Sequence, residues 1–374
     1  MTAFEDSQMT ENSYIEFKSN SVYSFCRLWE DCRAIPGMAP KVLSGFSDTR
    51  IAKLADIKAP RGISRMAAQE NFADFSPVLG HIKNNFSQNE LKCLSDAYEA
   101  YSDFFEKNQE RIKSNFDTIC NKQALYMPEL ANIYNCFQLP RDKKCPCFIN
   151  PFPQDKFIDG ISNNENICMN YSLNKTENQD QYFDNSDILK RKNSTPFHEA
   201  THFCFFNSQL YRDIEQENNR TYNTVLGNLM ETFEQKNNNS PKTPRDELKK
   251  CAIGIINEGF AACASALYNE KTTGKPVKND NEWYHGWKEA NDFTKQMYPL
   301  FKEYVNQGKA FDNCFFNRLN ITMVKAKIRK QQQNHSAVSQ TTPLLSKVPY
   351  GKSQISTVNL NSLRYLPPGN DSER

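Results

Sequence analysis

The chain has 374 residues, of which 38% are hydrophobic, so it can build a sizeable core and is long enough for more than one domain. Its formal net charge of +2 gives no reason to expect nucleic acid or an anionic membrane as a partner. Met1–Asn20 lacks the basic start and apolar core of a signal peptide, and we expect no membrane span because long uninterrupted apolar runs are missing.

The N-terminal part of the chain predicts helices. We expect residues 1–20 to be a disordered N-terminus and residues 21–140 to form a helical domain. Within that domain Ser87 and Glu90 have the spacing of a helix capping box. Apolar side chains then recur at helical spacing, at Leu91, Leu94, Tyr98, Tyr101 and Phe105. This aromatic stripe predicts a buried helix face rather than a ligand site.

The next part of the chain changes character. Apolar and polar residues alternate from Ile167 to Leu173, which predicts a β-strand. Cys145 and Cys147 form a tight pair, but no second cluster of ligands accompanies them, so a metal site there has little support. Six of the 12 cysteines fall in apolar or helical patterns, and we interpret the cysteines as buried thiols of a protein in a reducing compartment. The six are Cys26, Cys32, Cys93, Cys204, Cys251 and Cys263.

The segment from Thr195 to Leu210 carries the pattern H-E-x-x-H, formed by His198, Glu199 and His202. Thr195 and Pro196 predict that a helix begins just before it. Residues four apart lie one turn apart on the same helix face, so both imidazoles could bind one zinc ion, with Glu199 beside them as a base. Glu199 is the only charged residue of the segment. The alternative is a pair of buried, hydrogen-bonded core histidines.

A zinc hydrolase requires a third protein ligand, for which Glu258 is the best candidate. It is the only charged residue from Cys251 to Leu267, an otherwise apolar or small run that predicts a central, buried helix. Small residues such as Gly259 would let this helix approach another closely. Asp213 and Glu231 are the alternative third ligands.

The two segments together resemble the gluzincin metallopeptidases, in which H-E-x-x-H lies on one helix and a glutamate on a second helix completes the site. The resemblance rests on His198 to His202 and on the sequence from Asn257 to Ala261. It implies that His198, His202 and Glu258 bind Zn²⁺ and that Glu199 is the general base. The interval before Glu258 is longer than in thermolysin-like members, and a polar insertion at Gln235–Pro244 would explain the difference.

The resemblance also implies a fold. We expect a mainly α protein (α+β), in which residues 141–330 form a zincin-like metallopeptidase domain with a small sheet. The predicted strand before the H-E-x-x-H helix is similar to the sheet edge along which zincins bind an extended substrate, although an ordinary sheet strand fits equally well. His285 and Tyr284, with Tyr268 as a further candidate, could stabilise the oxyanion in catalysis. Residues 331–374 predict a disordered tail.

These observations predict a zinc-dependent endopeptidase that hydrolyses a protein substrate. An aminopeptidase is disfavoured because the G-x-M-E-N stretch of that class is missing. The protein would act in the cytoplasm, or be exported without a signal peptide into a reducing host cytosol, as a secreted bacterial effector would. The alternatives are a zinc hydrolase with a non-peptide substrate, and a non-enzymatic helical interaction or adaptor protein with a structural or degenerate zinc site.

Overall fold

Helices dominate the structure, as the sequence predicts, and they accompany one small sheet. The computed structural model describes residues 3–5, 14–34, 43, 46–69, 72, 74–124, 127–140, 142–150, 159–162, 167–170, 195–236, 243–275 and 288–339. The chain divides into two compact units. The first unit comprises Met1–Gln209 with Ala264–Lys278, and the second comprises Leu210–Cys263 with Asn279–Arg374. This division differs from the predicted boundary at residue 140.

The first unit combines the sheet with most of the short helices. Its strands are β1 (Ala3–Glu5), β2 (Ile15–Asn20), β3 (Cys145–Asn150), β4 (Asp159–Ser162) and β5 (Ile167–Asn170). Its helices are α1 (Ser21–Ala34), α2 (Thr49–Ala52), α3 (Ile63–Gln69), α4 (Ser76–Ile82), α5 (Gln88–Lys107), α6 (Gln109–Ala124), α7 (Met127–Cys136) and α8 (Thr195–Asn207).

The sheet has the strand order β1-β2-β3-β5-β4. Strands β2, β3 and β5 run parallel to one another, while β1 and β4 pair antiparallel at the two edges. The prediction of a strand from Ile167 is confirmed for β5, but β5 lies inside the sheet and β4 forms the edge. The prediction of a disordered N-terminus is wrong where β1 and β2 lie, because Ile15 and Phe17 are buried in the core.

The sheet also explains why the predicted helical domain is not separate. Strand β2 leads directly into α1 and pairs with β3, so both sides of the predicted boundary share one core. The predicted capping box at Ser87 and Glu90 is present at the start of α5. Tyr101 and Phe105 of the aromatic stripe are fully buried, and Phe25 of α1 packs against Tyr101. The stripe therefore belongs to the core, as its spacing predicts.

The regular elements in the described residues of the second unit are all helices. Its helices are α9 (Gln209–Glu215), α10 (Arg220–Lys236), α11 (Arg245–Thr273, which continues into the first unit from Ala264), α12 (Lys288–Gln307) and α13 (Asn313–Ser339). An aromatic cluster around Phe260 of α11 forms its centre, with Phe301, Phe311, Phe315 and Phe316. Helix α13 continues past residue 331, where we predicted the tail to begin, and residues 340–374 lie outside the described part of the chain.

Helix α11 is the long apolar helix that the sequence predicts. It is long and apolar enough to cross a bilayer by length and composition alone, but 72% of its most apolar window is buried inside the protein. Such burial is what a core helix requires. Gly259 confirms the predicted close approach of a neighbour, because a Cβ atom there would lie 2.6 Å from Cδ1 of Phe293 on α12.

Candidate metal centre

The H-E-x-x-H sequence lies on α8, a helix with many buried apolar residues. The buried apolar residues of the helix are Phe197, Ala200, Phe203, Cys204 and Phe205. Because this apolar surface covers more than one face, α8 is held on several sides rather than along a single stripe. The helix packs against α7 and runs beside β4 and β5 of the sheet. The sequence pattern thus places its polar side chains on a rigid, enclosed element.

His198 and His202 project from the same side of α8, one turn apart, as predicted. Their ring centroids are 4.7 Å apart, and the ring planes meet at 87°. One candidate ligand atom from each of His198, Glu199 and His202 lies within 4.8 Å of the other two. Two imidazoles and a carboxylate at this separation could hold a divalent metal ion. The structure therefore supports a metal site at these three side chains.

The burial of the group is the second argument for a cation. Glu199 is 7% exposed and His202 is 6% exposed, while His198 is half-buried. A carboxylate removed from water costs free energy unless a cation or hydrogen bonds compensate it. The donor set of imidazole nitrogens and carboxylate oxygens is the one that Zn²⁺ takes in proteins. The residues present therefore fit a divalent metal ion.

Ser265 of α11 adds a contact that the sequence analysis did not predict. Its Oγ atom lies 3.5 Å from Nδ1 of His198, at the outer limit of hydrogen-bonding distance. A partner at one imidazole nitrogen fixes the orientation of the ring and directs the other nitrogen toward a metal. One signal in the sequence could have identified Ser265, since it is the only hydroxyl side chain between Cys251 and Leu267.

Aromatic contacts hold α8 in position on both sides of the group. The ring of Tyr268 on α11 packs against Phe197 with centroids 4.6 Å apart, and Tyr134 on α7 stacks against Phe203 at 6.3 Å. Burial raises the pKa of the Cys204 thiol well above its usual value. This thiol is therefore protonated and behaves as a small apolar side chain, which agrees with the predicted role of the buried cysteines.

The remaining predicted site residues lie elsewhere or outside the described residues. Glu258 is half-buried on α11, in the part of that helix that belongs to the second unit, and it is not a member of the gathered group. Tyr284 and His285 fall within residues 276–287, which the structure does not describe. Tyr268 is described and is buried against Phe197.

The alternative ligands have other surroundings. Glu231 on α10 binds Lys327 at 3.0 Å on the surface of the second unit, and Asp213 is half-buried on α9. Cys145 and Cys147 are both buried in β3. In the part of the chain that the structure describes, the gathered group of potential ligands is the one on α8, and these residues do not belong to it.

We compared the chain with known protein families, with curated proteins and with solved structures, and none of them matches it.

Proposed function

We propose that the protein is a zinc-dependent endopeptidase whose site is built on α8. The observation that carries the proposal is the gathering of His198, Glu199 and His202 in an otherwise apolar, buried helix. Two histidines one turn apart supply the ligands, and the glutamate between them supplies a base, which is the arrangement that peptide hydrolysis by a zinc enzyme needs.

Glu258 is the third ligand in this proposal. The resemblance to the gluzincins, in which a glutamate on a second helix completes the ligand set, is what assigns this role to Glu258. Glu258 is also the only carboxylate in the apolar part of the helix. A carboxylate completes the ligand set while leaving a further position open, as catalytic zinc sites require.

We expect Glu258→Ala to lower zinc affinity by about 100-fold, because it removes one of three protein ligands. Affinity is measured by competition with a chromogenic chelator. Glu231→Gln and Asp213→Asn serve as matched controls and should leave zinc affinity within about twofold of the wild type. Equal affinities of Glu258→Ala and the controls would remove Glu258 from the ligand set.

The protein's own residues carry out the acid–base chemistry. When bound, zinc supplies a Lewis acid that polarises the scissile carbonyl and makes water a stronger acid. Glu199 accepts a proton from the attacking water and donates it to the leaving amine when the C–N bond breaks. Burial of Glu199 keeps competing water away from this proton. Ser265 holds the imidazole of His198 in its orientation.

Strand β4 is the surface on which we propose that substrate binds. It is the edge strand of the sheet and lies beside α8. The outer side of an edge strand has unpaired backbone groups, which can form main-chain hydrogen bonds with an extended polypeptide. Recognition through main-chain groups fits a protein substrate cut within the chain rather than at a free terminus.

The decisive experiment compares the wild type with Glu199→Gln. Both proteins are incubated with unfolded casein, internal cleavage is followed by mass spectrometry, and zinc content is measured on the same samples. We expect Glu199→Gln to retain zinc and to lose at least about 1,000-fold in cleavage rate, because the general base is gone. The exposed carboxylate variant Glu106→Gln is the matched control and should cleave normally.

Two other results would decide against the proposal. Stoichiometric zinc without cleavage in the wild type would favour a structural site in a non-enzymatic interaction protein. Absence of zinc after reconstitution would return His198 and His202 to the role of core histidines. Loss of activity on chelation and its return with Zn²⁺ is the expected behaviour of the wild type.

A further inference from the structure

Helix α13 presents the exposed large hydrophobic side chains of the described residues. These are Ile321, Val324 and Ile328, which are 52%, 44% and 47% exposed. Their spacing of three and four residues places them in one row on the same face of the helix. We call this row the aliphatic row. Single exposed apolar residues are ordinary on a protein surface. Three in a continuous row on one helix indicate a surface that binds another molecule.

The charged residues of α13 are all basic. From Asn313 to Ser339 the sequence has five basic residues and no acidic one. The basic residues are Arg318, Lys325, Lys327, Arg329 and Lys330. Two acidic side chains of neighbouring helices compensate part of this charge, since Glu303 pairs with Arg318 and Glu231 pairs with Lys327.

Lys325 and Arg329 form no ion pair within the described part of the chain, and both are exposed. Lys325 follows Ile321 by one turn, and Arg329 follows Lys325 by one more, so the two bases run alongside the aliphatic row. The combined surface has an apolar strip with a positive margin.

We propose that this face of α13 docks on an anionic lipid surface. An interfacial helix inserts aliphatic side chains at the boundary of the acyl chains while its bases lie among the anionic headgroups, which is the arrangement of α13. Most side chains between Ile321 and Arg329 are exposed, and only Met323 and Ala326 are half-buried. This length of the helix is therefore accessible to a surface that approaches it.

Other occupants fit less well. A second copy related by twofold symmetry would bring Lys325 and Arg329 close to the same bases of its partner. Single-stranded nucleic acid is bound by aromatic stacking, and the aliphatic row has no aromatic side chain. Three aliphatic side chains are a small insertion, so binding should be reversible and should depend on the anionic headgroups.

The test uses the full-length protein and vesicle sedimentation. Vesicles contain either phosphatidylcholine alone or phosphatidylcholine with about 30% phosphatidylserine, a composition that gives a negative surface potential. We expect at least about tenfold stronger partitioning onto the anionic vesicles at low salt, and loss of most of this difference near 0.5 M NaCl, where charges are screened.

Variants distinguish the face from general charge. Lys325→Glu with Arg329→Glu should lower partitioning onto anionic vesicles at least about tenfold, because it reverses both unpaired bases. Ile321→Ser with Ile328→Ser should lower it by about fivefold or more while the circular dichroism stays unchanged. Lys92→Glu with Lys107→Glu on α5 makes the same change in net charge at exposed positions and should have little effect.

Three results would overturn the inference. The first is equal partitioning onto neutral and anionic vesicles, which would favour an acidic protein as the partner that binds the aliphatic row. The second is an equal loss in the α5 control. The third is binding that develops only after removal of residues 340–374, which would make that segment the occupant of the row. The Glu199→Gln variant should bind vesicles as the wild type does, so this test is independent of the proposed catalysis.

Discussion

The spacing of His198, Glu199 and His202 determines whether their side chains can meet around one metal ion. Helical geometry alone places His198 and His202 on one face, and the structure confirms that Glu199 joins them. The sequence therefore predicts the local half of the site. It could not predict the contact of Ser265 with His198, because 67 residues separate the two and no local rule fixes the register between two helices.

The role of Ser265 is open to a direct measurement. Ser265→Ala should lower zinc affinity by about 10-fold or more, because the imidazole of His198 loses the group that orients it. Thr272→Ala is the matched control, since Thr272 lies on the same helix and its hydroxyl bonds to the backbone carbonyl of Asn269. Chelator competition measures both variants.

A purely structural role for Ser265 would give a different result. In that case thermal stability would fall and zinc affinity would not. Ser265→Thr, which retains a hydroxyl, should restore most of the lost affinity. Failure of this rescue, with the fold intact, would contradict a positioning role.

At the scale of elements, α11 shows how a small residue permits close packing. Gly259 lies where a methyl group would meet the ring of Phe293, whose side chain is 2% exposed and packed against the core. A glycine weakens a helix, so its presence in an apolar helical run indicates that a neighbouring element packs closely there. The neighbour that requires it could not be identified from sequence.

Two alanine substitutions test this packing. Gly259→Ala should lower the free energy of unfolding by about 1 kcal/mol, because overpacking of about 1–3 kcal/mol exceeds the gain in helix propensity. Gly227→Ala on α10 should raise it by about 0.5–1 kcal/mol, because among the described residues no atom beyond the adjacent part of the helix lies within 4 Å of the new methyl group. Urea denaturation measures both. A stabilising Gly259→Ala would show that Phe293 moves aside at little cost.

Two elements could not be predicted from the sequence, strand β2 and the last part of α13, and each has a physical reason. Strand β2 is short, and the alternation of Ile15 and Phe17 with Glu16 and Lys18 was obscured by the polar residues before it. The last part of α13 is polar and lacks apolar periodicity, so its composition is typical of a tail. Strand β2 depends on pairing with a distant strand, and the end of α13 depends on helix propensity. Hydrophobic periodicity reveals neither of them.

At the scale of the whole molecule, most of the described cysteine side chains are buried. The side chains of eleven cysteines are described, and Cys314 is the exposed one among them. Burial raises the pKa of the thiols of Cys26, Cys204 and Cys263 well above the usual value, and that of Cys136 to about 12. Thiols in this state are poor nucleophiles.

Alkylation of the native protein should therefore be selective. With iodoacetamide near pH 8, Cys314 should react at least about 100-fold faster than Cys204 or Cys263, because those thiols are protonated and inaccessible. Peptide mass spectrometry over a time course gives the rates, and the protein in urea is the control in which the differences disappear. Similar rates in the native protein would show that the core opens on the timescale of the reaction.

The position of β2 inside the sheet has a consequence for synthesis of the protein. Ile15 pairs with Cys145, about 130 positions later, so this strand waits without its parallel neighbour while the ribosome makes the intervening helices. Until then the backbone groups on the side of β2 that later pairs with β3 are open to other chains. A deletion that reaches Ile15–Asn20 would therefore remove a strand from the inside of the sheet and leave β3 without its partner on that side.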